Sequence, residues 1–217
     1  MINKTFNKMD QVIKAFNFAA IAHKDQRRKD STKSPYINHP IEVCDILSSV
    51  GKIGIPEILC AAVLHDTVED TTVTLIDIEK EFGVIVREMV ALCSDDKSLS
   101  KATRKKLQLE HAVEMYHYPK FVKGIDVHEG AILVKLADKY SNCCGLIDNP
   151  PANWTLDTII GYATWSYAII SKVRGLNNGI DKLFDDLFES FGKQWKIDFK
   201  NMSSDELNDR LMAYYEN

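Results

Sequence analysis

Nowhere in these 217 residues does an apolar run approach the ~20 residues a helix needs to cross a bilayer. The start, MINKTFNKMDQ, has no continuous hydrophobic segment of the signal-peptide type. The expectation is a soluble, unprocessed, cytoplasmic chain with no membrane partner. Basic residues are not in excess either: 27 Lys and Arg against 31 Asp and Glu leave a net charge of −4. The overall positive footprint of a nucleic-acid binder is therefore missing, and any anionic ligand must be met by local basic groups. The five cysteines are odd in number and lack repeated CxxC spacing, which excludes a disulfide framework or zinc ribbon and fits reduced thiols. Strand-like alternation is hard to find. No internal repeat, low-complexity tract or Gly/Ser or Pro-rich linker divides the chain.

What is present is helical periodicity. With 45% hydrophobic and 27% charged residues, the chain can bury one substantial core. Phe6, Met9, Val12, Ile13, Phe16, Ala19 and Ala20 recur at three- and four-residue steps and predict one buried stripe of a first helix. Ile180, Leu183, Phe184, Leu187, Phe188 and Phe191 repeat the pattern near the other end. Pro40 and Pro56 suit first-turn positions, Thr74 can cap a helix, and Gly83 punctuates TLIDIEKEFG. Ser203 and Glu206 spell a capping box that predicts a terminal helix over 204–215, with Met202 and Leu207 as its staple. The segments RRKDSTKSP, 27–35, and HYPKFVKGIDVHEG, 117–130, read as loops. The fold class is all-α.

One stretch breaks the apolar logic. The helix-like run Ile58, Leu59, Ala61, Ala62, Val63, Leu64 leads straight into LHDTVEDT, an imidazole and three carboxylates within six residues. Successive helical side chains diverge by roughly 100°, so His65 and Asp66 share an ion only if it lies in the wedge between them. A divalent metal resolves the cluster, with Glu69 and Asp70 one turn further on at the i+4 positions. Further ligands are His39 in YINHP and Asp138 in VKLADK. Two imidazoles with two carboxylates suit manganese, iron or zinc. Such an ion acidifies water and polarises a phosphoryl oxygen, and Glu69 and Asp70 then move protons or orient that water. Taken singly, each residue has a blander explanation: a chance dipeptide, a solvated helix end, a turn histidine. Their joint occurrence in this order favours a metal hydrolase.

QRRKD, PYINHP, AAVLHDTVEDT, DDKSL, RKKLQLE and VKLADK stand in the order and near the spacing of the HD-type hydrolase domain of the Rel/SpoT alarmone enzymes. From about Phe16 to Phe191 the chain resembles that family, above all its small free-standing metazoan members. The resemblance implies a compact HD-domain hydrolase of about ten helices over 1–191. Residues 192–217 then form a C-terminal extension with a short helix, on the same domain or at a contact between subunits of a homo-oligomer. It implies one manganese ion, with zinc or iron(II) as substitutes, held by His39, His65, Asp66 and Asp138. It also implies hydrolysis of guanosine 3′-diphosphate 5′-diphosphate (ppGpp) at the 3′-diphosphate, giving GDP and pyrophosphate, with Glu69 and Asp70 catalytic. Arg28, Lys29, Lys97, Asn142 and Tyr162 fall on positions that resemble the family's nucleotide contacts. With no room for synthetase and regulatory domains, the expectation is a protein that degrades the alarmone.

The residues support a polyanionic substrate on their own account. Arg27, Arg28, Lys29 and Lys33 lie just upstream of His39, and guanidinium can grip phosphate through a fork or stack on a base. A mobile solvated loop is the alternative. For Tyr162, in GYATW, the alternative is a core aromatic, and for Lys101, Arg104, Lys105 and Lys106 a solvated helix face is expected, with room for one or two of them to edge the pocket. The chain departs from its relatives after LADK, where YSNCCGL places Cys144 at the family's arginine position; weaker binding or an altered preference follows if that arginine touches substrate. Cys143 and Cys144 read as buried small hydrophobes. The loop 117–130 is a candidate lid or partner surface. Two other functions compete: removal of the 2′-phosphate of NADPH at the same site, and a nucleotide-sensing module without turnover.

Overall fold

The structure, a computed structural model, describes residues 8–216; Phe6 of the predicted first stripe lies outside them. Among these residues the helices are joined by loops, and the one hairpin is short. Helix α1 spans Lys8–Ala22, and α2, Asn38–Asp45, runs on into a wider π turn, Ile46–Val50. Then come α3 (Pro56–Leu64), the single turn α4 (Thr67–Asp70), α5 (Leu75–Phe82), α6 (Val84–Cys93) and α7 (Lys101–His117). After the hairpin β1 (Phe121–Val122) and β2 (Ile125–Asp126), the long α8 spans Val127–Asp148. Helices α9 (Leu156–Lys172), α10 (Asn178–Trp195) and α11 (Ser204–Glu216) complete the chain.

The helix boundaries follow from local chemistry. Pro56 opens α3, where its missing N–H has no intrahelical acceptor to serve. Thr74 and Asp77 form a reciprocal capping box at α5. Gly83, at φ +87°, takes a conformation open to glycine and lets α6 start directly after α5. In the hairpin Lys123 and Gly124 both have positive φ, 49° and 84°, as a two-residue I′ turn requires. The predicted loop 117–130 therefore holds two short strands and already ends at Val127, because the Asp126 carboxylate accepts from His128 N–H and Glu129 N–H and starts α8.

Helix α3 is the centre of the core: Cys60, Ala61, Ala62, Val63 and Leu64 are fully buried, and α1, α2, α6 and α8 pack around it. Such a helix gives its C-terminal end a fixed position. Helix α1 turns Val12, Ala15 and Ala19 inward while Met9, Ile13 and Ala20 are exposed. The buried stripe is thus rotated from the predicted one, because small alanines at 15 and 19 allow close approach to α3. At the other end α10 buries Ile180, Phe184, Leu187, Phe188 and Phe191 and continues through Trp195. Helix α11 lies on α9 and α7, with Leu211 and Tyr214 buried. Of the described helices none is long and apolar enough to cross a membrane.

Candidate active site

The run that sequence periodicity suggests as one helix is broken at its decisive point. Helix α3 ends at Leu64, His65 follows it, and Asp66, at φ −95° and ψ −7°, stands ahead of α4. The Thr67 hydroxyl donates to Leu64 C=O at 2.7 Å and holds the break. His65 Nε2 lies 3.0 Å from Asp66 Oδ2 and 3.7 Å from Asp138 Oδ1. From the first turn of α2, His39 brings Nε2 to 2.9 Å from Asp138 Oδ1 and 3.8 Å from Asp66 Oδ2.

The second nitrogen of each ring settles its tautomer. His65 Nδ1 is 2.7 Å from Ala62 C=O, which can only accept, so Nδ1 carries hydrogen. Ser141 donates its hydroxyl hydrogen to Glu42 Oε2 at 2.8 Å, which leaves it to accept from His39 Nδ1–H at 2.9 Å. Both Nε2 atoms then aim lone pairs at carboxylate oxygens, and His65 Nε2 is buried with no hydrogen bond of good geometry. Only a proton or a cation relieves that repulsion. Burial pulls His65 down, yet the Asp66 carboxylate, together with Asp138, outweighs it and holds the imidazole well above its usual pKa. Burial raises Asp66, but the charge of a protonated His65 prevails and sets it at about 2. Asp138 is held well below its usual value in the same way, by the neighbouring His39 and His65 rings against its burial. Ligand atoms of His39, His65 and Asp138 all lie within 4.8 Å of one another. This is the donor set of a divalent-metal site.

A cavity of about 380 Å³ opens beside the cluster. On one wall Glu69 Oε2 accepts from Asp95 N–H at 3.1 Å, with Lys97 Nζ and Arg104 Nη1 at 3.7 and 3.8 Å from its other oxygen. Burial raises the Glu69 pKa; the Asp95 hydrogen bond opposes this and the Asp95, Asp66 and Asp70 charges add to it. Asp70 Oδ1 pairs with Lys97 Nζ. Asn142, which lines the cavity, accepts from Arg28 Nη2 at 3.0 Å through Oδ1 and donates through Nδ2 to Asp138 Oδ1 at 2.6 Å; Arg28 itself lines an adjoining cleft. Arg28 reaches there because its loop is closed: Arg28 N–H donates to Ser34 C=O at 2.9 Å, and the Asp30 carboxylate accepts from Ser34 N–H at 3.1 Å. Lys29 and Tyr162 line the cavity as well. The Tyr162 ring stands 5.5 Å from Trp154 and 5.4 Å from Trp165, so it is both a packed aromatic and a cavity wall.

All eleven residues singled out in the sequence thus gather at one place. Tyr36 was not among them, and the basic cluster of α7 contributes more than the one or two residues expected at its edge. Tyr36, three residues before His39 in PYINHP, donates its hydroxyl to Asp66 Oδ2 at 2.6 Å. Burial first, then the Asp66 charge, pushes its pKa far up, so it remains a donor. The basic cluster of α7 is not simply a solvated face: Lys101, Arg104 and Lys105 line the cavity, and Lys105 is only 8% exposed. Lys106 instead faces outward over Tyr215. Cys143 is buried as expected, whereas Cys144 is half-buried and edges a small cleft with Arg28 and Ser141.

The HD domain family matches residues 15–153. The chain belongs to the HD-domain family. Its close homologues are metazoan. This HD protein is 42% identical over 181 residues to the Xenopus tropicalis guanosine-3′,5′-bis(diphosphate) 3′-pyrophosphohydrolase MESH1, covering 83% of this chain and 94% of that one. The human protein of the same name is 40% identical over 182 residues, covering 84% and 95%. The solved structure of a metazoan SpoT orthologue that hydrolyses ppGpp and plays a role in starvation responses matches with a TM-score of 0.76. It is 37% identical and covers 84% of this chain and 96% of that chain.

Proposed function

We propose that this HD protein hydrolyses ppGpp at the 3′-diphosphate in a manganese-dependent reaction, releasing GDP and pyrophosphate. The observation that carries the reading is the convergence of two imidazole lone pairs on the carboxylates of Asp66 and Asp138, at 2.9–3.8 Å, beside a cavity walled by Lys and Arg. His39, His65, Asp66 and Asp138 are the residues that would hold the ion. When bound, it supplies Lewis acidity to a phosphoryl oxygen and brings the acidity of water toward neutral pH.

The protein's own groups do the rest. Half-buried Glu69 takes the proton of the attacking water, and Asp70, held by Lys97, orients that water. The new bond forms at phosphorus, the bond to the ribose 3′ oxygen breaks, and that oxygen leaves with a proton. Arg28 and Lys29 meet the nucleotide's phosphates from one wall, and Lys97 from the other. Asn142 fixes Arg28 relative to Asp138, and Tyr162 offers an aromatic face to the base. Five cysteines, odd in number and without paired spacing, agree with a reducing, cytoplasmic setting.

The test is incubation of the purified protein with manganese and either ppGpp or NADPH. Pyrophosphate released from ppGpp is the expected outcome. Orthophosphate from NADPH in its place makes the protein a 2′-phosphatase, and nucleotide binding with neither product makes it a sensor; both outcomes overturn the proposal.

A further inference from the structure

Lys105 is a buried amine held by a neutral hydroxyl. Its Nζ donates to the hydroxyl of Tyr214 and, among the described residues, makes no ion pair. It lies 4.2 Å from the Trp165 ring centroid, 4.0 Å from that of Tyr214 and 5.2 Å from that of Tyr162. A second buried amine, Lys139, stands 3.8 Å from the same Trp165 ring and donates to Gln108 Oε1 at 3.3 Å. Both lysines line the cavity that holds His65, Asp66 and Asp138. Aromatic faces and one neutral hydroxyl only partly offset the desolvation of an ammonium. Burial, reinforced by the charge of Lys139, pushes the Lys105 pKa down to about 6. Such a group is poorly satisfied until an anion arrives.

The position of Lys105 is set by a part of the chain far from the metal ligands. Tyr214 belongs to α11, beyond residues 15–153 of the HD match, and is 5% exposed. Its ring fills a notch at Gly161 of α9, where an added Cβ would come within 2.4 Å of the ring. The backbone of Lys105 is pinned from the other side, because Trp165 Nε1–H donates to its C=O at 3.0 Å. Only a glycine at 161 lets the tyrosine reach the amine.

We propose that Lys105 is a contact for a phosphate group of the ligand in this cavity, and that Tyr214 of the C-terminal helix is the positioning residue that holds its Nζ there. The extension thus builds part of the binding site. The inference rests on the phosphohydrolase reading for the identity of the nucleotide, but its test does not need turnover.

Calorimetric titration of the full-length, manganese-loaded protein with inorganic pyrophosphate is the measurement. Lys105→Met should weaken binding about tenfold, the loss of one charge-assisted hydrogen bond. Tyr214→Phe, which keeps the ring and removes the hydroxyl, should weaken it about threefold, and Gly161→Ala, which displaces the ring, at least as much. Lys106→Met, on the outward face, should change nothing. If ppGpp is hydrolysed, Tyr214→Phe should raise KM more than it lowers kcat. Pyrophosphate bound as tightly by folded Tyr214→Phe and Gly161→Ala as by the parent overturns the proposal, even where Lys105→Met fails to fold. Failure of the hydrolase reading shows separately, as absence of product from ppGpp with the parent protein.

Discussion

His39 Nδ1–H donates to the Ser141 hydroxyl 2.9 Å away, and that bond decides which nitrogen of the ring is left for a cation. Ser141 is itself fixed by Glu42. Removing the hydroxyl in Ser141→Ala frees the tautomer and the ring angle. The expected loss of manganese affinity is about 10- to 100-fold, measured by competition with a chelator; Ser141→Thr should restore it. Unchanged affinity in Ser141→Ala would mean that the helix alone orients the ring.

Asp66 and Glu69, three residues apart, should separate metal binding from chemistry. Asp66→Ala leaves two imidazoles and a single carboxylate, and is expected to lose bound metal and activity together. Glu69→Gln keeps the Asp95 N–H acceptor and should retain the metal by elemental analysis while kcat falls about 10²- to 10⁴-fold, the usual scale for a general base. A Glu69→Gln protein with wild-type kcat would remove Glu69 from the mechanism.

Arg28 tests the polyanion wall. Lys cannot reproduce its fork, nor donate to Asn142 from the same geometry. Arg28→Lys is expected to raise KM for ppGpp about tenfold, in line with ~1.5–3 kcal/mol for a hydrogen bond to a charged group, with a smaller change in kcat. Steady-state kinetics decide, and an unaltered KM would assign the loop 27–35 to solvent.

Lys105 carries a pH signature in stability. Its pKa is lowered on folding, from 10.5 to about 6, so between these values the unfolded chain binds the extra proton and stability from this group rises with pH. Below about 6 the penalty of a buried ammonium is fully present. Lys105→Met should therefore raise Tm relative to the parent most near pH 6 and least near pH 10. A constant difference across that range would show that the amine is not desolvated as its burial implies.

The cluster of His39, His65, Asp66 and Asp138 was legible in the sequence because its members sit at features the chain announces locally: a histidine before Pro40, an acidic cluster at the end of an all-apolar helix, an aspartate closing the run Ile132 to Ala137. The helix class was legible for the same reason, since periodicity and capping are short-range. The roles of Tyr36 and of the buried Lys105 were not. Each owes its role to a partner 30 residues or 109 residues away, and a tyrosine or lysine in an amphipathic segment looks the same whether it faces solvent or a cavity. The rotation of α1 was missed because alanine gives a weak hydrophobic signal although it permits the closest packing. The hairpin escaped notice because two-residue strands are too short to alternate.

The two halves of the site are anchored differently. His65 and Asp66 ride on the end of a helix whose last five residues are wholly buried, whereas Arg28 hangs on a loop tied mainly to itself through Asp30, Ser34 and the Arg27–Pro35 bridge. Exchange of that loop would therefore alter the surroundings of Arg28 and Asn142 while leaving the buried His65–Asp66 corner untouched, so one half of the cavity can be rebuilt without disturbing the other.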